Sequence, residues 1–145
     1  MANITLAQAQ AVVTGALAYS RANNFVNPMA VIVLDARAVP KAYAVEDGSA
    51  LRRWDFAHGK AYGALAMSVG SKTLSARASA NPRMSGLVNS VLGGAMIPVA
   101  GAVLIRVNGE IVGCVAVAGD PSPDNDDLAA RAGIAAVHEL TADPS

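Results

Sequence analysis

Residues 103–117 have the sequence VLIRVNGEIVGCVAV, in which two apolar, largely β-branched runs flank an Asn-Gly pair. Asn108-Gly109 favours a type I′ turn, because the two central residues of that turn need positive φ angles. Both runs carry apolar residues on both faces, apart from Arg106. A sheet with one face in water would alternate apolar and polar residues instead. The segment therefore predicts an antiparallel β-hairpin that is covered on both sides.

The rest of the chain predicts helices around this hairpin and two further strands. Thr5 and Gln8 form a capping-box pattern at the start of the first helix, and Asn81-Pro82 is typical of an N-cap followed by proline at the first helical position. The predicted helices cover residues 6–22, 50–67, 71–80, a segment after Pro82, and 128–140, and the predicted strands cover 30–34 and 41–46, paired antiparallel. This order predicts an α+β fold with a mostly antiparallel sheet and helices packed on it.

The composition is that of one folded domain, which we expect to span residues 1–145. Hydrophobic residues make up 53% and charged residues 15%, whereas disordered chains combine low hydrophobicity with high charge. Lys plus Arg and Asp plus Glu number 11 each, so the formal net charge is zero. No surplus of positive charge is available to neutralise phosphates, and aromatic residues amount to only 4%. We expect no nucleic-acid partner.

The cysteine content and the apolar runs bear on the cellular compartment. Cys114 has no partner for an intramolecular disulfide, and no Cys/His cluster has zinc-ligand spacing. The first residues lack the charged and apolar segments of a signal peptide. Gly, Pro or Arg interrupts the longest apolar runs before they approach ~18 residues. These features predict a cytoplasmic protein with no membrane span and no metal site.

Few charged side chains are available to cover the surface of a monomer, since alanine alone supplies 31 residues. The helix predicted over residues 50–67 has two apolar sides, one with Trp54 and His58 and the other with Gly59 and Gly63. Two glycines four residues apart would permit close approach of a neighbouring backbone. We therefore predict a homo-oligomer with the glycine side of this helix in an interface, and a ligand pocket at or beside it.

Lys60 lies among small and apolar residues of the same helix side. A partly desolvated lysine can hold a ligand carboxylate or, with a lowered pKa, act as a base or nucleophile. The alternative is a lysine whose stem packs on apolar surface while its ammonium reaches water. His58 is either a core histidine or an axial ligand to an iron, and we expect no function for His138.

Three carboxylates, Asp124, Asp126 and Asp127, precede the last predicted helix. They could bind a metal ion, but their attraction to the helix N-terminus accounts for them without one.

Six motifs resemble one known family in their order and spacing. They are LAQA (6–9), VLD (33–35), EDGSA (46–50), AHGKAY (57–62), NGEIVG (108–113) and VAGDPSPDNDD (117–127). Together they span nearly the whole chain and resemble the GlcG/HbpS haem-binding-like family, which includes the C-terminal domain of PduO-type proteins. Ala36-Arg37 stands where the family usually has Gly-Gly, residues 101–105 differ from its Gly-Gly-Val-Pro-Ile, and Gly63 replaces a common threonine. These departures favour a changed ligand or role.

The resemblance implies a central antiparallel sheet flanked by helices, in a profilin-like three-layer arrangement that forms homo-oligomers. It implies binding of haem or a related tetrapyrrole, with Lys60 pairing with a propionate. His58, Asp47, Gly48 and Arg106 are the further ligand-binding candidates, although His58 occupies a position that varies in the family. The alternative is a cofactor-independent hydrolase or isomerase that acts on a small carbonyl or imine compound, in which Lys60 and Asp47 transfer a proton.

Overall fold

The predicted hairpin forms the middle of an antiparallel sheet. In the computed structural model, which describes residues 2–145, the turn at Asn108 and Gly109 has φ angles of 49° and 81°. Within this range the sheet has five strands in the order β2-β1-β4-β3-β5. The strands are β1 (Ala30–Asp35), β2 (Pro40–Val45), β3 (Ala102–Val107), β4 (Glu110–Ala118) and β5 (Thr141–Ala142). Every pairing is antiparallel, which confirms the predicted sheet.

Helices cover both faces of the sheet. The helices of residues 2–145 are α1 (Leu6–Ala22), α2 (Arg53–Met67), α3 (Ser71–Ala80), α4 (Pro82–Val91) and α5 (Pro123–Ala135). Of these, α1 and α5 cover one face of the sheet and α2 covers the other. The predicted capping box is present at the start of α1: the Gln8 backbone N–H donates to the Thr5 hydroxyl, and the Thr5 N–H donates to the Gln8 side chain. The Asn81 side chain accepts from the N–H of Met84 at the start of α4. Both caps confirm the sequence prediction.

The two faces of the sheet bury side chains of different size. Valines and isoleucines of the inner strands face α1 and α5, together with Val12 and Ile134. The other face contributes four alanines (Ala30, Ala102, Ala116 and Ala118) together with Ile32, Leu34, Leu104 and Cys114, and it meets the alanines of α2. Small side chains on both surfaces let α2 lie close to the sheet. The result is the predicted three-layer α+β arrangement.

Three predicted helix boundaries are wrong. The second helix begins at Arg53 rather than at residue 50. The last helix begins at Pro123 and ends at Ala135 instead of covering 128–140. Its earlier start follows from Pro123, because proline is well suited to the first helical turn. The chain then forms β5, a two-residue strand that pairs with β3 and was not predicted.

The prediction that Gly59 and Gly63 face another subunit is also wrong, because the same chain covers them. The N–H of Ile97 donates to the carbonyl of Gly59 at 3.1 Å. A Cβ added at Gly59 would lie 2.7 Å from a side-chain carbon of Ile97, and one at Gly63 would lie 2.5 Å from Cγ of Met96. The two glycines do permit a close approach, and residues 95–97 make it.

Candidate functional site

Lys60 and Asp126 form an ion pair between α2 and α5. The Lys60 ammonium donates to Oδ2 of Asp126 and to the carbonyl of Val117, both at 3.0 Å. The two side chains are only 4% and 2% exposed. The other carboxylate oxygen, Oδ1 of Asp126, accepts from the N–H of Asp120 at 3.2 Å. The pair therefore joins α2, the end of β4 and the start of α5.

Burial disfavours the charged form of both partners. It lowers the pKa of the Lys60 ammonium, and the charge of Asp126 opposes that change only in part. It raises the pKa of the Asp126 carboxyl to about 6, against the opposing attraction of Lys60. Gly101, with a φ of 136°, closes the space around the ammonium, because an added Cβ there would lie 2.8 Å from Nζ. Lys60 is thus enclosed by its own chain and is not presented at a surface.

An aromatic row lies on the outer side of α2. Trp54, His58 and Tyr62 are four residues apart, and their rings are stacked, with centroids 5.4 Å apart for Trp54–His58 and 6.0 Å for His58–Tyr62. Tyr43 of β2 meets Trp54 edge to face at 4.8 Å. Trp54 is 37% exposed and His58 is half-buried, so His58 is not a core histidine. We call these four side chains the aromatic row.

The loop that leads from β2 into α2 forms a cavity of about 310 Å³ next to the aromatic row. Its lining includes Tyr43, Asp47, Gly48 and Ser49. Gly48 has a φ of 82°, which favours glycine at this turn. Tyr43 lines this cavity together with Asp47 and Gly48, and it also contacts Trp54, which stacks on His58. The structure therefore brings three of the candidates, Asp47, Gly48 and His58, to one side of the molecule.

Two buried polar atoms close to this loop have no partner. They are Oγ of Ser49 and Nε of Arg53, which neither donate nor accept a hydrogen bond within residues 2–145. Burial raises the pKa of the Tyr43 hydroxyl, and the nearby charge of Arg53 opposes the rise. Arg53 therefore lies close to the aromatic row. Unsatisfied buried polar groups are uncommon, and a bound water, ion or other group can supply the missing partner.

Ser49 and Arg53 were not among the sequence candidates. Ser49 lies within the EDGSA motif, but nothing in the motif distinguishes its hydroxyl from an ordinary turn serine. Arg53 stands next to Arg52 at the start of the helix, and Arg52 is the exposed member that pairs with Asp55. Only the burial of Nε in the folded chain singles out Arg53.

The structure places Lys60 and Arg106 apart from this loop. Arg106 pairs with Asp143 at 2.6 Å and also donates to the carbonyl of Gly109, so it stabilises the hairpin and the C-terminal strand. Asp47 is exposed and does not contact Lys60. The ammonium of Lys60 is instead enclosed by Val117 and Asp126. The proton-transfer pair that the sequence allowed, Lys60 with Asp47, is not assembled.

The carboxylates near the start of α5 have separate partners. Asp126 pairs with Lys60 and Asp127 with Arg131, while Asp124 lies 3.9 Å from Lys72 at the surface. Within residues 2–145, no three His, Cys, Asp or Glu side chains are grouped so that they could hold a metal ion. None of the helices described is both long and apolar enough to cross a membrane.

The fold is that of several solved structures. The chain superimposes on HbpS with a TM-score of 0.82 and 23% identity, over 94% of this chain and 92% of that one. The chain superimposes on a double mutant of HbpS from Streptomyces reticuli with a TM-score of 0.82 and 24% identity, over 94% of this chain and 88% of that one. The comparison with PduOC, solved as a complex with haem, gives a TM-score of 0.83 and 20% identity, over 96% of this chain and 97% of that one. At these identities the likeness establishes the fold alone.

No curated protein matches the chain in sequence. The family model described as "haem degrading protein HbpS-like" matches residues 4–135, which is most of the chain and includes every candidate site residue. It agrees with the motif resemblance and with the three-layer fold. The chain belongs to the HbpS-like family.

Proposed function

We propose that this protein binds haem or a related anionic tetrapyrrole at the surface formed by the aromatic row and the loop 46–51. The observation that carries the proposal is the unpartnered pair Ser49 Oγ and Arg53 Nε beside exposed aromatic rings. A tetrapyrrole offers a flat apolar face to aromatic side chains and carboxylates to hydrogen-bond donors. Family membership and the haem complex of PduOC, a protein of the same fold, support the same ligand.

Each residue of this surface has a distinct part in the proposal. His58 would be the iron ligand, because its imidazole is half-exposed and its orientation is fixed by Trp54 and Tyr62 on either side. Arg53 and Ser49 would donate to a propionate, in place of the Lys60 that the sequence favoured. Bound haem would supply an iron centre whose properties depend on the side chain that holds it and on the surroundings of that side chain.

A second copy of the chain is part of the proposal. β2 is an edge strand of the sheet, and an uncovered edge favours pairing with another chain. Large apolar side chains near it are exposed, among them Val45 at 45% and Leu51 at 94%. A subunit packed here would cover this apolar surface and enclose the ligand beside it. The homo-oligomer is therefore proposed to form around β2 and the loop 46–51, not around Gly59 and Gly63.

A cytoplasmic location is also proposed, on the ground that the one cysteine is a free, buried thiol. Proteins of oxidising compartments more often carry paired cysteines. Fractionation of the native host with an antibody against the chain tests the location, and recovery in the periplasm or medium would contradict it.

Haemin titration of the purified protein tests the ligand. We expect a Soret band that differs from that of free haemin and saturates at a fixed stoichiometry. His58→Ala should shift this band and weaken binding, whereas His138→Ala, which removes an exposed histidine elsewhere, should leave both unchanged. Arg53→Gln should weaken binding, and Arg52→Gln should not. A band identical to that of haemin with an unrelated protein would overturn the proposal.

The assembly has its own measurement. Native mass spectrometry of the unmodified protein should show an oligomer, and Leu51→Asp should lower the subunit number by placing a charge in the contact. A monomer at micromolar concentration, with or without haemin, would refute the proposed assembly.

A further inference from the structure

An apolar cleft of about 350 Å³ lies at the end of α2, between that helix, α3 and α4. It is separate from the proposed haem-binding surface: Trp54 is in the first turn of α2 and Met67 in the last, about 20 Å along a 15-residue helix. The apolar lining consists of Met67, Leu74, Ala80, Met84, Val88 and Met96. Arg77, Asn81 and Ser85 are the polar residues of its wall.

The helix that forms one wall of the cleft is fixed in position but buries none of its own residues. Asn81 caps α4 at its start. Near its end, the Asn89 side chain donates to the carbonyl of Met96 at 3.0 Å and accepts from the N–H of Met96 at 2.9 Å. Despite these fixed ends, no residue of α4 is buried, and Met84 is 54% exposed. Met84 and Val88, which form part of the apolar side of the helix, therefore line a cleft that the chain itself does not fill.

Arg77 is the one charged side chain among the lining residues of the cleft. Residues 70–96 contain Lys72, Arg77 and Arg83 and no Asp or Glu, in a chain whose net charge is zero. Arg77 is exposed at the wall of the cleft and makes no ion pair with any residue in the range 2–145. A free guanidinium at the edge of an apolar cleft is complementary to a carboxylate carried by an apolar chain.

We propose that this cleft binds a free medium-chain monocarboxylate, with the alkyl chain between α3 and α4 and the carboxylate on Arg77. A saturated chain of roughly eight to twelve carbons fills a cavity of this size at the packing density of protein interiors. The flexible thioethers of Met67, Met84 and Met96 suit such a ligand, because methionine adapts its shape to irregular apolar groups. Asn81 adds a second polar side chain beside Arg77. The cleft is concave, which favours a single free acid over a membrane surface.

Isothermal calorimetry with dodecanoate, kept below its micelle concentration, tests this proposal on the full chain. We expect one molecule bound per subunit. Arg77→Gln should weaken binding about tenfold through loss of the charge-assisted pair, and dodecanol should bind the unmodified protein as weakly as dodecanoate binds this variant. Arg83→Gln, which removes an exposed arginine of the same region that does not line the cleft, should leave the affinity unchanged.

A variant that fills the cleft tests the position of the alkyl chain. Val88→Trp should abolish dodecanoate binding while haemin binding stays as in the unmodified protein, because Val88 is not a core residue and α4 does not belong to the proposed haem-binding surface. Circular dichroism confirms that the variant is folded. Equal dodecanoate affinity in Val88→Trp, equal affinity in Arg77→Gln, no heat with the folded protein, or binding only to anionic vesicles would each overturn the proposal.

Discussion

The ammonium of Lys60 lies 3.0 Å from the carboxylate of Asp126, and the structure encloses both groups almost completely. This pair is the most deeply buried ion pair within residues 2–145. It connects α2 with the start of α5 across the end of β4. Its role in this structure is to join three elements, and the ligand-binding surface that we propose lies elsewhere on α2.

Removing one partner of the pair should destabilise the protein strongly. Lys60→Met leaves an uncompensated buried carboxylate, and we expect the free energy of unfolding to fall by about 3–5 kcal/mol. Lys72→Met is the control, because Lys72 lies 3.9 Å from Asp124 at the surface. This substitution should lower the free energy of unfolding by less than about 1 kcal/mol. Urea unfolding measures both. A double variant, Lys60→Met with Asp126→Leu, should recover part of the loss, and equal losses for Lys60→Met and Lys72→Met would contradict the prediction.

The raised pKa of Asp126 predicts a pH dependence of stability. Between pH 4 and 6 the native carboxyl, with its pKa of about 6, holds its proton while the unfolded one has lost it. The native state therefore binds more protons, so the free energy of unfolding contributed by this group is fully present below pH 4 and declines as the pH rises through 6, by up to about 3 kcal/mol.

Asp126→Asn isolates that contribution. The unmodified protein and Asp124→Asn, which alters an exposed carboxylate nearby, should show the same decline in urea unfolding between pH 4 and 6. Asp126→Asn should lack it. A parallel pH dependence in all three proteins would show that Asp126 titrates normally in the native state.

Gly59→Ala should destabilise the folded chain by about 1–3 kcal/mol, because its Cβ would lie 2.9 Å from the backbone oxygen of Ala95 and 2.7 Å from Ile97. Gly86→Ala is the matched control on α4, where an added Cβ meets nothing within 4 Å. That change should stabilise by up to about 1 kcal/mol, since alanine favours helix. Thermal unfolding compares the two. Identical shifts in the melting temperature would show that residues 95–97 do not contact α2 as described.

Cys114 should resist modification as long as the protein is folded. Its thiol is fully buried in the sheet, and burial raises its pKa, so little of the reactive thiolate is available. With an aromatic disulfide reagent at pH 8 we expect reaction only at the rate at which the chain unfolds, and rapid reaction in concentrated urea. Fast labelling in native buffer would place Cys114 at an accessible surface.

Local features of the sequence determined the hairpin and the first helix. Asn108-Gly109 needs positive φ angles whatever surrounds it, and Thr5 with Gln8 satisfies the first N–H groups of α1 within four residues. Apolar runs on both faces likewise required a sheet covered on both sides, and α1, α2 and α5 cover it. The end of α5 was missed because no glycine or proline follows it directly, and its limit is set by packing and by the return of the chain to β3.

Tertiary structure alone decided the site. Lys60 and Asp126 are 66 residues apart in sequence, and their pairing depends on how α2 and α5 lie across β4. The neighbour of Gly59 was also decided by the tertiary structure, because its small size is compatible with contact to another subunit or to another part of the chain. Arg53 is distinguished from Arg52 only by its burial in the folded chain. The sequence by itself determined most of the helices and strands, because those preferences act over a few residues, whereas β5 forms only by pairing with β3. Which polar groups are buried, paired or left without a partner was decided only when distant segments packed together, because burial and pairing are properties of the assembled core.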